Sequence, residues 1–321
     1  MTTAHKSRVL DMTRGDPFRL VLQFSLPLFC SNMLQQVYNL TDTALAGHLL
    51  GSAALAEIGA TAALYGLIMN FAFGMNNGLA LTVSRCFGAG EREGIRRAVG
   101  WMVTLSAAVS LVLTTVSLLG RGALLQALQV PAEVWDGAAA YLTVILLGIP
   151  LTMLYNMEAA LLRAVGNSVT PLLFLLFSSV LNVGLDAAFM GPMGMGVRGA
   201  AVATVLAQGI SAVLGAVYLV RSYPELHFAP THFKKSARRA VMNMFWAGMS
   251  MGLMSAIYNL GSVALQSSIN ALGSVYITAQ TAARRMAEMY FIPGGALGIS
   301  VATFSSQNLG AGRRRSWRPS G

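Results

Sequence analysis

Asp42 is the one Asp, Glu, Lys or Arg between Leu20 and Ala56, in a segment that otherwise reads as hydrocarbon-compatible. On a helix it shares a face with Tyr38, Asn39 and Gln35, four, three and seven residues earlier. A charge at the centre of a bilayer costs at least about 2.5 to 3.5 kcal/mol, so such a residue normally faces a bundle interior or a wet cavity. A second carboxylate stands in LNVGLDAAF, where Asn182 and Asp186 are one turn apart and Ser178 and Ser179 extend the same stripe. In the following segment Thr204 and Gln208 repeat the i, i+4 polar pairing. Two carboxylates, an amide and a hydroxyl make a set of hard oxygens suited to Na⁺ or to a shared proton, and acids in such surroundings can exchange protons near neutral pH. The plainer reading, in which each acid only bonds a neighbouring helix, leaves two such costs unexplained.

Other residue types weigh less. Arg284 and Arg285 lie in an apolar run with Glu288 three and four residues on, where the charges partly neutralise one another. Glu57 and Glu158 fall near expected helix ends, in reach of solvent. GMSMG at 248–252 matches a serine-hydrolase pattern, but that motif needs a strand-to-helix turn with His and acid partners, and here it sits inside an apolar helix. His5, His48, His227 and His232 all fall in loops or at helix ends, and the last two are wrongly spaced for a helical metal pair. Gly88-Ala89-Gly90 and Gly310-Ala311-Gly312 read as helix ends, since no strand precedes them as a phosphate loop requires. Gly74 and Gly78 suit close helix packing. Cys30 and Cys86 read as small buried hydrophobes. No catalytic residue, resident cofactor or metal is assigned beyond H⁺ or Na⁺ at Asp42, Asn182, Asp186 and Thr204.

The elements that must carry these residues follow from composition. The 321 residues are 55% hydrophobic and 11% charged, against about 25% charged in a soluble domain. Uncharged runs such as 20–41, 58–84, 98–120, 137–157, 164–185, 199–220, 240–283 and 289–312 each match the roughly 20 apolar residues that cross a bilayer. The 240–283 run is split by Asn270-Ala271-Leu272-Gly273-Ser274, giving eight helices at about 18–46, 52–84, 94–120, 134–162, 168–190, 197–222, 238–269 and 275–308. Period-2 alternation is absent, which argues against a barrel. The net charge of +10 does not point to nucleic acid, because the basic residues cluster at alternate helix ends. All but Arg121, Arg198, Arg284 and Arg285 fall on one side, and the positive-inside rule makes that side, and the N-terminus, cytoplasmic. The first span begins too late for a cleaved signal peptide.

The segment 221–239, RSYPELHFAPTHFKKSARR, reads as a linker between two halves. YNLTDTALAGHLLGSAALA at 38–56 is echoed by YNLGSVALQSSINALGSVYIT at 258–278, and TVSRCFGAGERE at 82–93 by FSSQNLGAGRRR at 304–315. The matches come in order at separations of 220 and 222 residues, the signature of a parallel repeat. The organisation expected is a cytoplasmic segment 1–17, a six-helix N-lobe 18–222, a cytoplasmic linker 223–237, a partial C-lobe 238–308 of two helices, and a basic cytoplasmic tail 309–321. With two helices in the second copy against six in the first, the chain reads as unfinished.

These residues resemble the multidrug and toxic compound extrusion (MATE) family of transporters. The resemblance runs from about Phe18 to Gly312 and rests on SLP with Pro27, Asp42, the GAGERE and LRAVGNSVTP segments, NVGLD and GAAVAT. It implies an all-α polytopic membrane protein, a helical bundle with a complete N-lobe and the first two helices of a C-lobe. It also implies a cation-coupled antiporter of the cell membrane, a monomer in the lipid bilayer, exporting amphipathic, often cationic drugs in exchange for H⁺ or Na⁺. The family's coupling positions look like Asp42, Asn182, Asp186 and Thr204; Gln35, Tyr38 and Asn39 look like residues of the drug cavity, and Pro27 like the bending point of the first helix. In the mechanism this suggests, the two acids take up the cation, lose their attraction for a cationic drug, and the helix bends at Pro27. Three other readings are a lipid-linked sugar flippase of related architecture, an intramembrane enzyme, and a non-transporting fragment. The first calls for several basic residues in the cavity and the second for a span-borne His or metal cluster.

Overall fold

The computed structural model describes residues 9–128, 130–227, 238–270 and 274–313, and between 258 and 290 it describes few of the side chains. Lys6, Arg8, Lys234, Lys235, Arg314, Arg315 and Arg318, and the Arg284, Arg285 and Glu288 side chains, lie outside what is described. All described regular structure is helical: α1 Pro17–Leu50, α2 Ser52–Gly88, α3 Arg92–Leu119, a short α4 Arg121–Ala127, α5 Trp135–Ala164, α6 Val169–Met190, α7 Gly196–Ser222, α8 Arg238–Asn270 and α9 Ser274–Gly310. The eight long helices are those expected, several extended by a turn at one end.

Local chemistry sets the boundaries. Asp16 caps α1, its Oδ1 accepting from the amides of Phe18 (2.8 Å) and Arg19 (3.1 Å), with Pro17 as the first helical residue. Gly51, at φ +84°, turns the chain from α1 into α2 in a conformation that a side chain would oppose. Pro27 removes one backbone donor inside α1, yet the helix continues through it to Leu50. α2, α3, α5 with its leading turn, α6, α7 and the first part of α8 are long and apolar enough to cross a membrane. Neither the described part of α9 nor α1 is among them, contrary to expectation; of the two, α1 is described throughout. Gln23, Ser25, Ser31, Asn32, Gln35, Gln36, Asn39 and Asp42 dilute its apolar content, as suits a helix that faces protein or water along one side. Leu206, Ile210, Val213, Leu214, Val217 and Val220 stay exposed along one stripe of α7, the face a lipid tail would cover.

Within the N-lobe α5 is central, touching α2, α3, α6 and α7, while α1 lies against α6 and α6 against α7. α8 runs along α2, and α9 crosses α1 and α2. The α2/α8 crossing explains two sequence patterns at once: Gly74 and Gly78 on α2 meet the backbone of α8 at Ala247, Gly248 and Met251, and Gly248 and Gly252 meet Phe71, Met75 and Leu79. The GMSMG stretch is thus half of a reciprocal small-residue contact.

A second reciprocal contact closes the end of the bundle that carries Arg85, Arg92, Arg163, Arg221 and Arg313, called the basic end below. Gly88 abuts the carbonyl of Gln307, and Gly310 abuts the carbonyl of Arg85. The two pairs exchange under a 222-residue shift, Gly88 for Gly310 and Arg85 for Gln307, which is the separation at which the two stretches resemble one another. Side chains complete the closure. The hydroxyl of Ser306 donates to Leu81 O (2.7 Å), Gln307 Nε2 to Ala164 O (2.9 Å) and Asn308 Nδ2 to Met12 O (2.8 Å). In the other half of α2, Gly59 and Gly66 have no atom of the described residues within 4 Å of where a side chain would start.

Glu158 and Arg163 depart from expectation. Both are buried, at 4% and 6% exposure, because the last turns of α5 stay inside the lobe instead of emerging. Tyr223 and Leu226, the first part of the expected linker, are likewise buried, in a turn packed near α3 and α7.

Candidate functional site

Asp42 lies two turns before the end of α1, and Asp186 about one turn before the end of α6, both away from the basic end. α1 packs along α6, which turns the two acids toward each other. Their carboxyls are within hydrogen-bond reach of one another. Asp186 is fully buried, and among the described residues Asp42 Oδ1 and Asp186 Oδ1 have no hydrogen-bond partner. The Asn182 amide, one turn below Asp186, donates to Asp186 Oδ2 (2.8 Å) and accepts from the Thr204 amide (3.2 Å) in the orientation that satisfies both ends. The Thr204 hydroxyl donates to Ala200 O (3.0 Å) and pairs with the Tyr38 hydroxyl. Asp42, Tyr38, Asn182, Asp186 and Thr204 therefore form one cluster across α1, α6 and α7.

The remaining expected residues stand apart. Gln35 Nε2 donates to Asn39 Oδ1 (3.3 Å) along α1, Asn39 is exposed, and neither bonds the acid pair. Pro27 lies four turns below Asp42. Three neighbours were not singled out in the sequence. Tyr65 and Tyr141 stand close enough to feel the charge of Asp42, and Tyr65 pairs with Gln208, which accepts from the Thr152 hydroxyl (2.6 Å). Gln208 carried a helical-spacing signal with Thr204. Tyr65, Tyr141 and Thr152 carried none, since a hydroxyl in an apolar run reads as core. The apolar jacket is made by Ala46, Ala54, Ile145, Met190, Val197, Ala200 and Ala201.

Two bare carboxylates within hydrogen-bond reach repel strongly in a low-dielectric setting, and a proton or a cation between their oxygens would relieve that repulsion. The donor set fits either: two free carboxylate oxygens, with the Thr204 and Tyr38 hydroxyls beside them. Among the described residues no group of three or more His, Cys, Asp and Glu gathers to hold a transition metal.

The MatE family model matches residues 27–188, which include Asp42, Asn182 and Asp186. The chain is 28% identical over 308 residues to the probable multidrug resistance protein YpnP of Bacillus subtilis (strain 168), covering 96% of this chain and 68% of that one. It superposes on a MATE crystal structure in the straight conformation with a TM-score of 0.86 at 24% identity, covering 96% of this chain and 69% of that one. On a MATE structure in the bent conformation the TM-score is 0.85 at 23% identity, covering 98% and 69%. The chain thus spans about two thirds of the length of the proteins it matches.

Proposed function

Since the chain belongs to the MatE family, we propose that it carries the cation-coupling lobe of a drug exporter of the cell membrane, with the basic end and the N-terminus in the cytoplasm. Asp42 and Asp186 take up one H⁺ or Na⁺, Asn182 and Thr204 hold the pair in register, and Tyr38 borders the space in which an amphipathic cation binds. Gln35 and Asn39 line the approach along α1, and Pro27 is where that helix bends. Cation and drug exclude one another because the negative charge that attracts the drug is cancelled when the cation arrives.

One observation carries the reading: two carboxyls in hydrogen-bond reach at a depth where a single charge is already costly. The closed basic end supports an outward-open state. The relatives named as multidrug resistance proteins support the substrate class. The test is ethidium binding to the purified chain by fluorescence anisotropy, as a function of pH at fixed Na⁺ and of Na⁺ at fixed pH. Affinity is expected to fall with one of the two cations, and Asp42→Asn to remove that dependence. Binding that ignores both cations in the native chain, or an unchanged dependence in Asp42→Asn, overturns the proposal.

A further inference from the structure

Arg163, in the last turn of α5, is a buried cation with an incomplete set of partners. Its Nη2 donates to Asn77 Oδ1 (3.1 Å) and its guanidinium lies 5.6 Å from the centroid of the Phe73 ring, but among the described residues Nε has no acceptor. No described carboxylate lies within 4 Å of it. Glu158, the one buried acid on the same helix, is five residues away and so about 140° around the axis. It faces Ser211 and Gly215 of α7 in a separate cavity. The two opposite charges of α5 are turned away from each other.

Beside Arg163 is a cavity of about 20 Å³, lined by Asn77 and Ser84 of α2, Met251 of α8 and Thr303 of α9. That is room for a single guest near the size of water. Its polar lining is a guanidinium, an amide and two hydroxyls, and no acid contributes to it. A buried charge without a counter-ion is strongly disfavoured, and a site of this size and sign excludes a pyrophosphate, a carboxylate metabolite or a lipid headgroup.

We propose that this cavity is a halide site, in which Arg163 with the hydroxyl of Thr303 holds one chloride between the lobes, the Ser84 hydroxyl being engaged in a bond to Thr303 O (3.3 Å). It is independent of the acid pair and of what the protein exports. Because α2 and α5 belong to the N-lobe while α8 and α9 belong to the second copy, the ion ties the lobes together and stabilises the closed basic end.

The test is thermal unfolding of the purified full chain in detergent, with sodium chloride exchanged for sodium gluconate at constant Na⁺ and ionic strength. Chloride is expected to raise the unfolding temperature with a saturable dependence, and bromide to replace it. Arg163→Gln is expected to weaken the apparent chloride affinity about tenfold or more. Thr303→Val, which keeps the charge and the size, is expected to weaken it less and serves if the arginine variant does not fold. Equal unfolding temperatures in chloride and gluconate for the native chain overturn the proposal and leave water as the guest. So does a chloride response that survives both substitutions unchanged.

Discussion

Gly78→Ala tests whether the lobes are held by backbone contact. A Cβ built on Gly78 would lie 2.5 Å from the carbonyl oxygen of Ala247 and 2.7 Å from Gly248 Cα, where contacts below 3.0 Å are essentially never seen. Both neighbours are backbone, so no side chain can swing aside, and α2 and α8 must separate by about half an ångström. A gap of that size forfeits roughly a quarter of the dispersion energy along the crossing, and overpacking costs about 1 to 3 kcal/mol. Working the other way, Ala is favoured over Gly in a helix interior by about 1 kcal/mol. The net expectation is destabilisation of up to about 2 kcal/mol, a shift of up to roughly 30-fold in the folded-to-unfolded ratio, and about 1 to 3 kcal/mol relative to a glycine on the same helix that gains only the propensity term. Gly66→Ala on the same helix is the control, since its Cβ meets no atom of the described residues within 4 Å and the helix-propensity gain remains. Unfolding in mixed micelles by added dodecyl sulfate, followed by tryptophan fluorescence, compares the two. If Gly78→Ala proves as stable as Gly66→Ala, the close crossing is not what joins the lobes.

Gly310→Ala would drive a methyl group into the Arg85 carbonyl and should open the basic end; spin labels at the exposed positions Arg92 and Leu309, in a background without Cys30 and Cys86, should show a longer and broader distance distribution. Asn182→Ala strips the buried Asp186 of its amide donor and should cost about 1.5 to 3 kcal/mol in the same micelle titration. Tyr223, outside the spans, has its phenol pushed by burial from 10.0 to about 12, although a hydrogen bond from Asn167 (2.9 Å) works the other way. The native chain then holds this proton more tightly than the unfolded chain does, so the contribution is whole below pH 10 and is lost as pH rises through about 12. Tyr223→Phe should accordingly cost about 1 kcal/mol below pH 10 from the lost hydrogen bond, and lose less stability than the native chain above it.

What could be read from the sequence depended on how local the signal was. The long apolar runs specify spans, and turn residues such as Gly51 break them, so the eight long helices were legible. Asp42, Asn182, Asp186 and Thr204 were legible as candidates because charge and amide groups in apolar runs are costly wherever the helices pack. Their convergence was not, since it depends on the rotation of α1 against α6 and α7, which period alone leaves free. Glu158 and Arg163 were misplaced for a related reason: a charge near a helix end normally emerges into water, and only packing by α2, α7 and α9 keeps these two inside. GMSMG was legible as part of an apolar helix, but its partner glycines lie some 170 residues earlier, beyond any local pattern.

The central claim is that Asp42 and Asp186 act as one site. Calorimetric titration of ethidium in buffers of different ionisation enthalpy counts the protons released as the drug binds, and a parallel titration against Na⁺ covers the other cation. A shared site releases about one cation per drug bound, and Asp42→Asn and Asp186→Asn each abolish that release completely. Release that survives at about half strength in each single variant, or is undiminished in either, would show two independent acids and contradict the account.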